Sequence, residues 1–240
     1  MKYLLATLIF TLAVACESLP TVPPIPGVSP SPTPVPGGTV LDNDAEDIVA
    51  LPFMKSEWSK YLLSQIKLQL ANLNKASKDM KRFCPRYEEM NIDEQVVVWG
   101  HLSSAILKYE SGIDSSGKYF KTCSSMTESN GIDSIGFFQL SYKDPYPSCP
   151  KSKSEGNLCE PNVNMKCAVN AMGKLAALDK VVAGGGYQSA GAPPPKGLSH
   201  YWSVLRVPDP KPRYVNGKKY FSTHHLSDIM ALTAKAPGCK

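Results

Sequence analysis

Ile106-Leu107-Lys108-Tyr109-Glu110-Ser111-Gly112, answered downstream by Ile135-Gly136-Phe137-Phe138-Gln139-Leu140-Ser141, are the two stretches on which the reading of this 240-residue chain turns. The first reads as the end of a buried helix. Trp99, Leu102, Ile106 and Tyr109 recur upstream at helical spacing, Asp93 stands where a cap would, and Gly112 is a common stop. Glu110 then falls in the last turn, among carbonyls that carry partial negative charge. A carboxylate is disfavoured there, and apolar neighbours disfavour it further, so the position favours a protonated Glu able to act as a general acid. The alternative is a surface Glu at a frayed helix end. The second stretch is bounded by Ser, Gly and Thr and reads as a short hairpin leading into a strand at Phe137-Phe138.

A Glu-Ser-Gly helix end followed by Gly-Phe-Phe-Gln-Leu-Ser resembles the lysozyme-like superfamily of lysozymes and soluble lytic transglycosylases. Two further segments keep the family's order. Asn162-Val163-Asn164 opens a helical run through Leu175 and Leu178, and Ser199-His200-Tyr201-Trp202 stands where transglycosylases carry Ala-Tyr-Asn. The resemblance spans residues 90–206. It implies an α+β, mainly α, lysozyme-like fold with a small β-hairpin beside the catalytic helix, stabilised by disulfides.

Outside that region the chain is equally legible. Lys2 and the apolar run over residues 3–14 are too short to span a bilayer and read as a signal peptide. Ala13-Val14-Ala15 suits simple cleavage, and the same residues before Cys16 resemble a bacterial lipobox, with Ala13 where Leu is usual. Cys16 is then the candidate lipidation site. Six further cysteines, Cys84, Cys123, Cys149, Cys159, Cys167 and Cys239, suit three disulfides in an oxidising compartment, with fifteen pairings open. Cys149, Cys159 and Cys167 are expected to tie down the Lys/Ser-rich loop between them. No Cys-x-x-Cys pair occurs, and His101, His200, His224 and His225 have no ligand-like spacing to the cysteines, so neither a metal nor another cofactor is expected.

These signals divide the chain into a signal peptide (1–15), a Pro-rich tether (16–47) and a catalytic domain (48–240). The tether has eight prolines between Pro20 and Gly38 and cannot build a core. The acidic patch of Asp42, Asp44, Glu46 and Asp47 reads as a solvated edge. In the domain, a long amphipathic helix is expected from Ser56 to Met80, with Trp58, Leu62, Ile66, Leu70 and Leu73 on one face and Pro85 beyond its end. The helix from Asn162 should run to Gly184-Gly185-Gly186. The net charge of +5 becomes +4 once Lys2 is removed. That is enough to favour an anionic envelope polymer and too little to imply nucleic acid.

What the resemblance implies about function follows residue by residue. Glu110 is the expected acid in cleavage of glycosidic bonds of peptidoglycan glycan strands. A hydrolase also needs a second carboxylate, and Asp114, Glu128 and Asp133 lie between Glu110 and the second stretch. Asp133 is one residue from the position at which hen-type lysozymes carry theirs, Ser134 occupies that position, and Glu128 is the reserve. Both acids have the alternative reading of ordinary turn residues. Gln139 is expected on the cleft floor, Ser134 and Phe138 are expected among the substrate-binding residues, and Gly136 is expected to let the backbone approach the ligand. Tyr201 is expected near Glu110, and Trp202 as a sugar-stacking face, with core packing as the alternative for both. The expected protein is an exported monomer, secreted, periplasmic or held at the outer membrane only through Cys16. A lytic transglycosylase, a wall-binding lipoprotein without activity, and a relative of the predatory-bacterial lysozymes that prefer deacetylated glycans stand beside that reading.

Overall fold

The computed structural model describes residues 50–112, 126–127, 133–185, 193–207, 213–215, 218–220 and 225–240. The signal peptide, Cys16, the tether, the acidic patch, Asp114, Cys123, Glu128 and His224 lie outside the described residues. What is described is mainly helical, with short antiparallel β-pairs and disulfides.

Helix α1 spans Ser56–Leu73, and a 3-10 turn (Asn74–Ala76) joins it to the short α2, Ser77–Met80. This is the amphipathic run expected from the spacing, broken by one tightened turn. Leu62, Ile66, Leu70 and Leu73 are buried, and each such side chain contributes about 1.5–3 kcal/mol by leaving water. Helix α3, Ile92–Ser111, is the central element; Val98, Trp99, Leu102, Ala105, Ile106 and Leu107 are wholly buried. The Trp99 indole donates to the Tyr87 hydroxyl (2.8 Å), which donates to Asn74 Oδ1 (2.5 Å), so the polar atoms of these two buried aromatic side chains are satisfied.

The cap of α3 differs from the sequence expectation. Asn91, not Asp93, is the N-cap: its side chain accepts from the Glu94 amide (3.0 Å) while Glu94 accepts from the Asn91 amide (2.8 Å). The reciprocal pair satisfies two donors at the helix start, and it leaves Asp93 free to pair with Lys67 across to α1 (2.9 Å). At the other end Gly112 adopts the left-handed conformation (φ 71°) that stops the helix.

Helix α4 spans Pro161–Asp179 and packs along α1. It stops earlier than the glycine run suggested, at Lys180 in the left-handed region (φ 57°), because Ala183–Gly184 pairs antiparallel with Lys196–Gly197. Helix α5, Leu226–Thr233, covers α3, and Cys239 just beyond it is bonded to Cys84. Cys149–Cys167 closes the loop before α4 onto the helix, and Cys159 is also disulfide-bonded. Two other pairs are antiparallel: Met126–Thr127 with Asp133–Ser134, and Arg213–Val215 with Lys218–Tyr220. The first of them is the hairpin expected between α3 and the second stretch.

Candidate active site

Three segments carry the expected site residues, the first of them the C-terminal end of α3. Glu110 is half-buried in its last turn, beside the buried Ser111, whose hydroxyl donates back to the Leu107 carbonyl (2.8 Å).

The second segment is a tight loop and not the strand expected for Phe137-Phe138. Ile135 and Leu140 exchange two backbone hydrogen bonds (2.8 and 2.9 Å), and the four residues between them turn through left-handed conformations at Gly136 (φ 74°) and Gln139 (φ 51°). The Gln139 side-chain amide closes the turn by donating to the Gly136 carbonyl (2.7 Å). A four-residue turn leaves too little extended chain for alternation to operate, which is why the strand pattern misled.

Buried Asn164 on α4 holds that loop in place. Its amide nitrogen donates to the Ile135 and Leu158 carbonyls (2.9 Å each), and its oxygen accepts from the Phe138 amide (3.0 Å). Gly136 is required here for a reason other than ligand approach: a Cβ on it would sit 2.2 Å from the Asn164 amide nitrogen and 2.5 Å from the Leu158 carbonyl oxygen. The Asn-Val-Asn run marked the helix start correctly, but only tertiary contact shows which Asn ties the loop.

The third segment carries Tyr201. Its hydroxyl donates to Asp144 Oδ2 (2.5 Å) and lies 3.3 Å from the Gln139 carbonyl. Burial, followed by the Asp144 carboxylate and the smaller influences of Tyr146 and Glu110, holds the phenol far above its usual range. Glu110 is therefore within electrostatic reach of Tyr201, which in turn touches the Gln139 loop. Trp202 and Phe138 do not offer faces to a ligand. Both side chains are buried, edge to face with ring centroids 6.2 Å apart, and the Trp202 indole donates to the Phe138 carbonyl (3.1 Å). Trp202, expected as a stacking face or as core, and Phe138, expected to bind substrate, both have their side chains packed in the core. Ser134 is buried next to the loop. Asp133 lies on the strand paired with Thr127.

Sequence reasoning passed over Asp144. It is 8% exposed, and besides Tyr201 it accepts from the Ser141 amide (2.7 Å). Burial raises its carboxyl above the ordinary range, opposed by the Tyr201 and Ser141 hydrogen bonds and the charge of Lys151. The Ser-Tyr-Lys-Asp spacing, with Pro145 following, was the available signal: a Ser and an Asp three apart ahead of a Pro form a self-bonded turn. Nothing local in that turn points to Tyr201, 57 residues away. Burial also pushes the neighbouring Tyr146 up to about 12, with the Asp144 charge adding to it.

Among the described residues no group of three or more His, Cys, Asp or Glu is placed to hold a metal ion, and no helix is long and apolar enough to cross a membrane. A surface hollow of about 510 Å³ between α1 and α4, lined by Gln69, Asn72, Pro147, Asn170, Lys174 and Leu178, holds none of the expected site residues.

The chain as a whole has counterparts among solved structures. The chain is similar to the solved structures of Bd0314 DslA. Its wild-type form matches with a TM-score of 0.57 and 26% identity, over 77% of this chain and 91% of that one. Two DslA mutants, each with a different Glu changed to Gln, match over the same shares with the same TM-score, at 26% and 25% identity. No protein-family model and no curated protein matches the chain.

Proposed function

We propose that this protein is an exported, lysozyme-like glycosidase that cuts the β-1,4 bonds between MurNAc and GlcNAc units of peptidoglycan, with Glu110 as the general acid. One observation supports the reading: Tyr201 bonds to the Gly136–Gln139 turn and its phenol is raised in part by the charge of Glu110 at the end of α3. A general acid needs a half-enclosed site to hold its proton near neutrality and a neighbouring polar group to orient it. The likeness to DslA supports a cell-wall role, and the choice of two Glu residues for substitution in that protein accords with carboxyl chemistry.

The same proposal gives Asp133 or Glu128 the second-carboxylate role, Gln139 and Tyr201 the substrate side of the turn, and Cys16 a lipid anchor whose Pro-rich tether spaces the domain from the membrane. Disulfides accord with export. The purified domain should clear a peptidoglycan suspension, and Glu110→Gln should lower the rate at least about a hundredfold while folding normally. Retained clearing removes Glu110 from the role. Mass spectrometry of the products distinguishes reducing ends, from hydrolysis, and anhydro ends, from the transglycosylase route. Digestion of acetylated against chemically deacetylated walls reads the substrate preference. Binding without turnover on every glycan would leave a wall-binding protein.

A further inference from the structure

We infer that the seam between α1 and α4 is a second, non-catalytic binding site for a glycan strand. The inference takes its ligand class from the glycosidase reading above. The two helices lie side by side and run in the same direction. Glu57 and Trp58 meet Glu160, Pro161 and Asn162 at one end, and Gln69 and Asn72 meet Asn170 and Gly173 further on. Three hollows of about 170, 450 and 510 Å³ follow one another along this seam. The first two share Asn162, and the loop before α4 walls the second at Ser148 and Pro150 and the third at Pro147. Helix α4 lines them with Asn162, Lys166, Asn170 and Lys174, every fourth residue, so the four form one row with a step of about 6 Å.

Holding a sugar chain calls for hydrogen-bonding groups set in place, an aromatic surface and little net charge, and the seam supplies all three. Gln69 donates to Asn170 Oδ1 (3.0 Å), Asn72 donates to Gln69 Oε1 (3.0 Å), and Asn170 donates to the Lys166 carbonyl (2.8 Å). Each carboxamide is thus oriented by its neighbour and keeps a second N–H and a further lone pair for a ligand. Gly173 makes room for this ladder, since a Cβ there would sit 2.8 Å from Gln69 Oε1. Tyr61, half-buried in the second hollow, offers the aromatic surface. Glu57, Glu155 and Glu160 are set against Lys55, Lys166 and Lys174, so the charges balance. A strongly charged polymer gains little from such a surface, whereas a chain of hydroxyl and N-acetyl groups is matched by it. Trp58 stands edge to face on Phe137 at 4.8 Å, which joins the seam to the turn of the candidate active site. A strand engaged at both places is held by avidity.

The test compares insoluble peptidoglycan with soluble fragments of it a few sugars long, too short to engage both places. Asn72→Ala/Lys166→Ala/Asn170→Ala strips the row at exposed or half-exposed positions and alters none of the residues assigned to the cleaving site. In a Glu110→Gln background it should co-sediment with insoluble walls about tenfold more weakly than Glu110→Gln alone. With Glu110 intact it should clear dilute walls about threefold more slowly or worse, and cleave the short fragments at the unaltered rate. A folded variant that sediments like its parent overturns the proposal. So does an equal loss on walls and fragments, which would place the effect at the cleaving site. Should the triple variant fail to fold, Ala177→Glu crowds the third hollow with the ladder whole, and the same outcomes decide. Walls stripped of their stem peptides should show the same tenfold difference; its disappearance there would assign the seam to peptide and overturn the glycan ligand. A wild-type protein that cleaves neither substrate sinks the glycosidase reading instead, while sedimentation with and without the three substitutions still decides whether the seam binds.

Discussion

Replacing Asn164 by Ala is the sharpest probe of how the second stretch is held. The side chain is 1% exposed and makes three hydrogen bonds, to the Ile135 and Leu158 carbonyls and from the Phe138 amide. Truncation leaves one amide and two carbonyls in a buried setting. Each lost bond costs about 1 kcal/mol and each stranded group about 1–3 kcal/mol, partly offset by relaxation of a four-residue turn, so the expected loss is about 3–5 kcal/mol. That is a large share of the roughly 5–15 kcal/mol typical of a domain. Urea unfolding monitored by fluorescence, with disulfides intact, measures it. Asn162→Ala, exposed two residues earlier, is the control and should stay within about 0.5 kcal/mol. Gly136→Ala adds a second check. Its Cβ would collide with the same amide at 2.2 Å, so the double variant should lose less than the two single losses together, by about 1 kcal/mol. The Gly136→Ala penalty does not vanish in the double variant, since the positive φ and the Leu158 carbonyl still oppose the new methyl. A loss below about 1 kcal/mol for Asn164→Ala would refute the claim that α4 anchors the turn.

Two further outcomes follow from other parts of the fold. His101 on α3 is 7% exposed, and burial holds its basicity below the usual 6.5, against a smaller opposing pull from the Leu232 backbone. The unfolded chain therefore takes up the proton first as pH falls: the stability this neutral His supplies is complete above about 6.5 and is lost progressively below it. Thermal melts between pH 7 and 5 should show a smaller fall for His101→Gln than for the wild type, and an equal fall would be a refutation. Removing Cys84–Cys239, which closes a separation of 155 residues, should cost about 5 kcal/mol by loop entropy, against about 3 kcal/mol for Cys149–Cys167 with its separation of 18. Denaturant midpoints of the paired Cys→Ser variants test that ranking; the reverse order would show that strain or residual structure outweighs chain entropy.

The sequence by itself determined the elements whose signals are local and periodic. Apolar spacing located α1 and α3, Gly112 gave the end of the central helix, and the even set of cysteines after Cys16 pointed to a disulfide framework. It also singled out Glu110, because a carboxylate at a helix C-terminus is an anomaly visible in one dimension. Only the tertiary structure decided what lies across from those elements. Phe137-Phe138 became a turn because Asn164 supplies the hydrogen bonds that a strand neighbour would otherwise give. Trp202, which as a sequence letter suits either a ligand or a core, was settled as core by its contact with Phe138. Asp144 looked like one more turn acid until Tyr201, 57 residues on, came to bond it. Spacing encodes which face of an element is apolar, but a hydrogen bond between distant side chains has no period, and its existence depends on packing that no local pattern records.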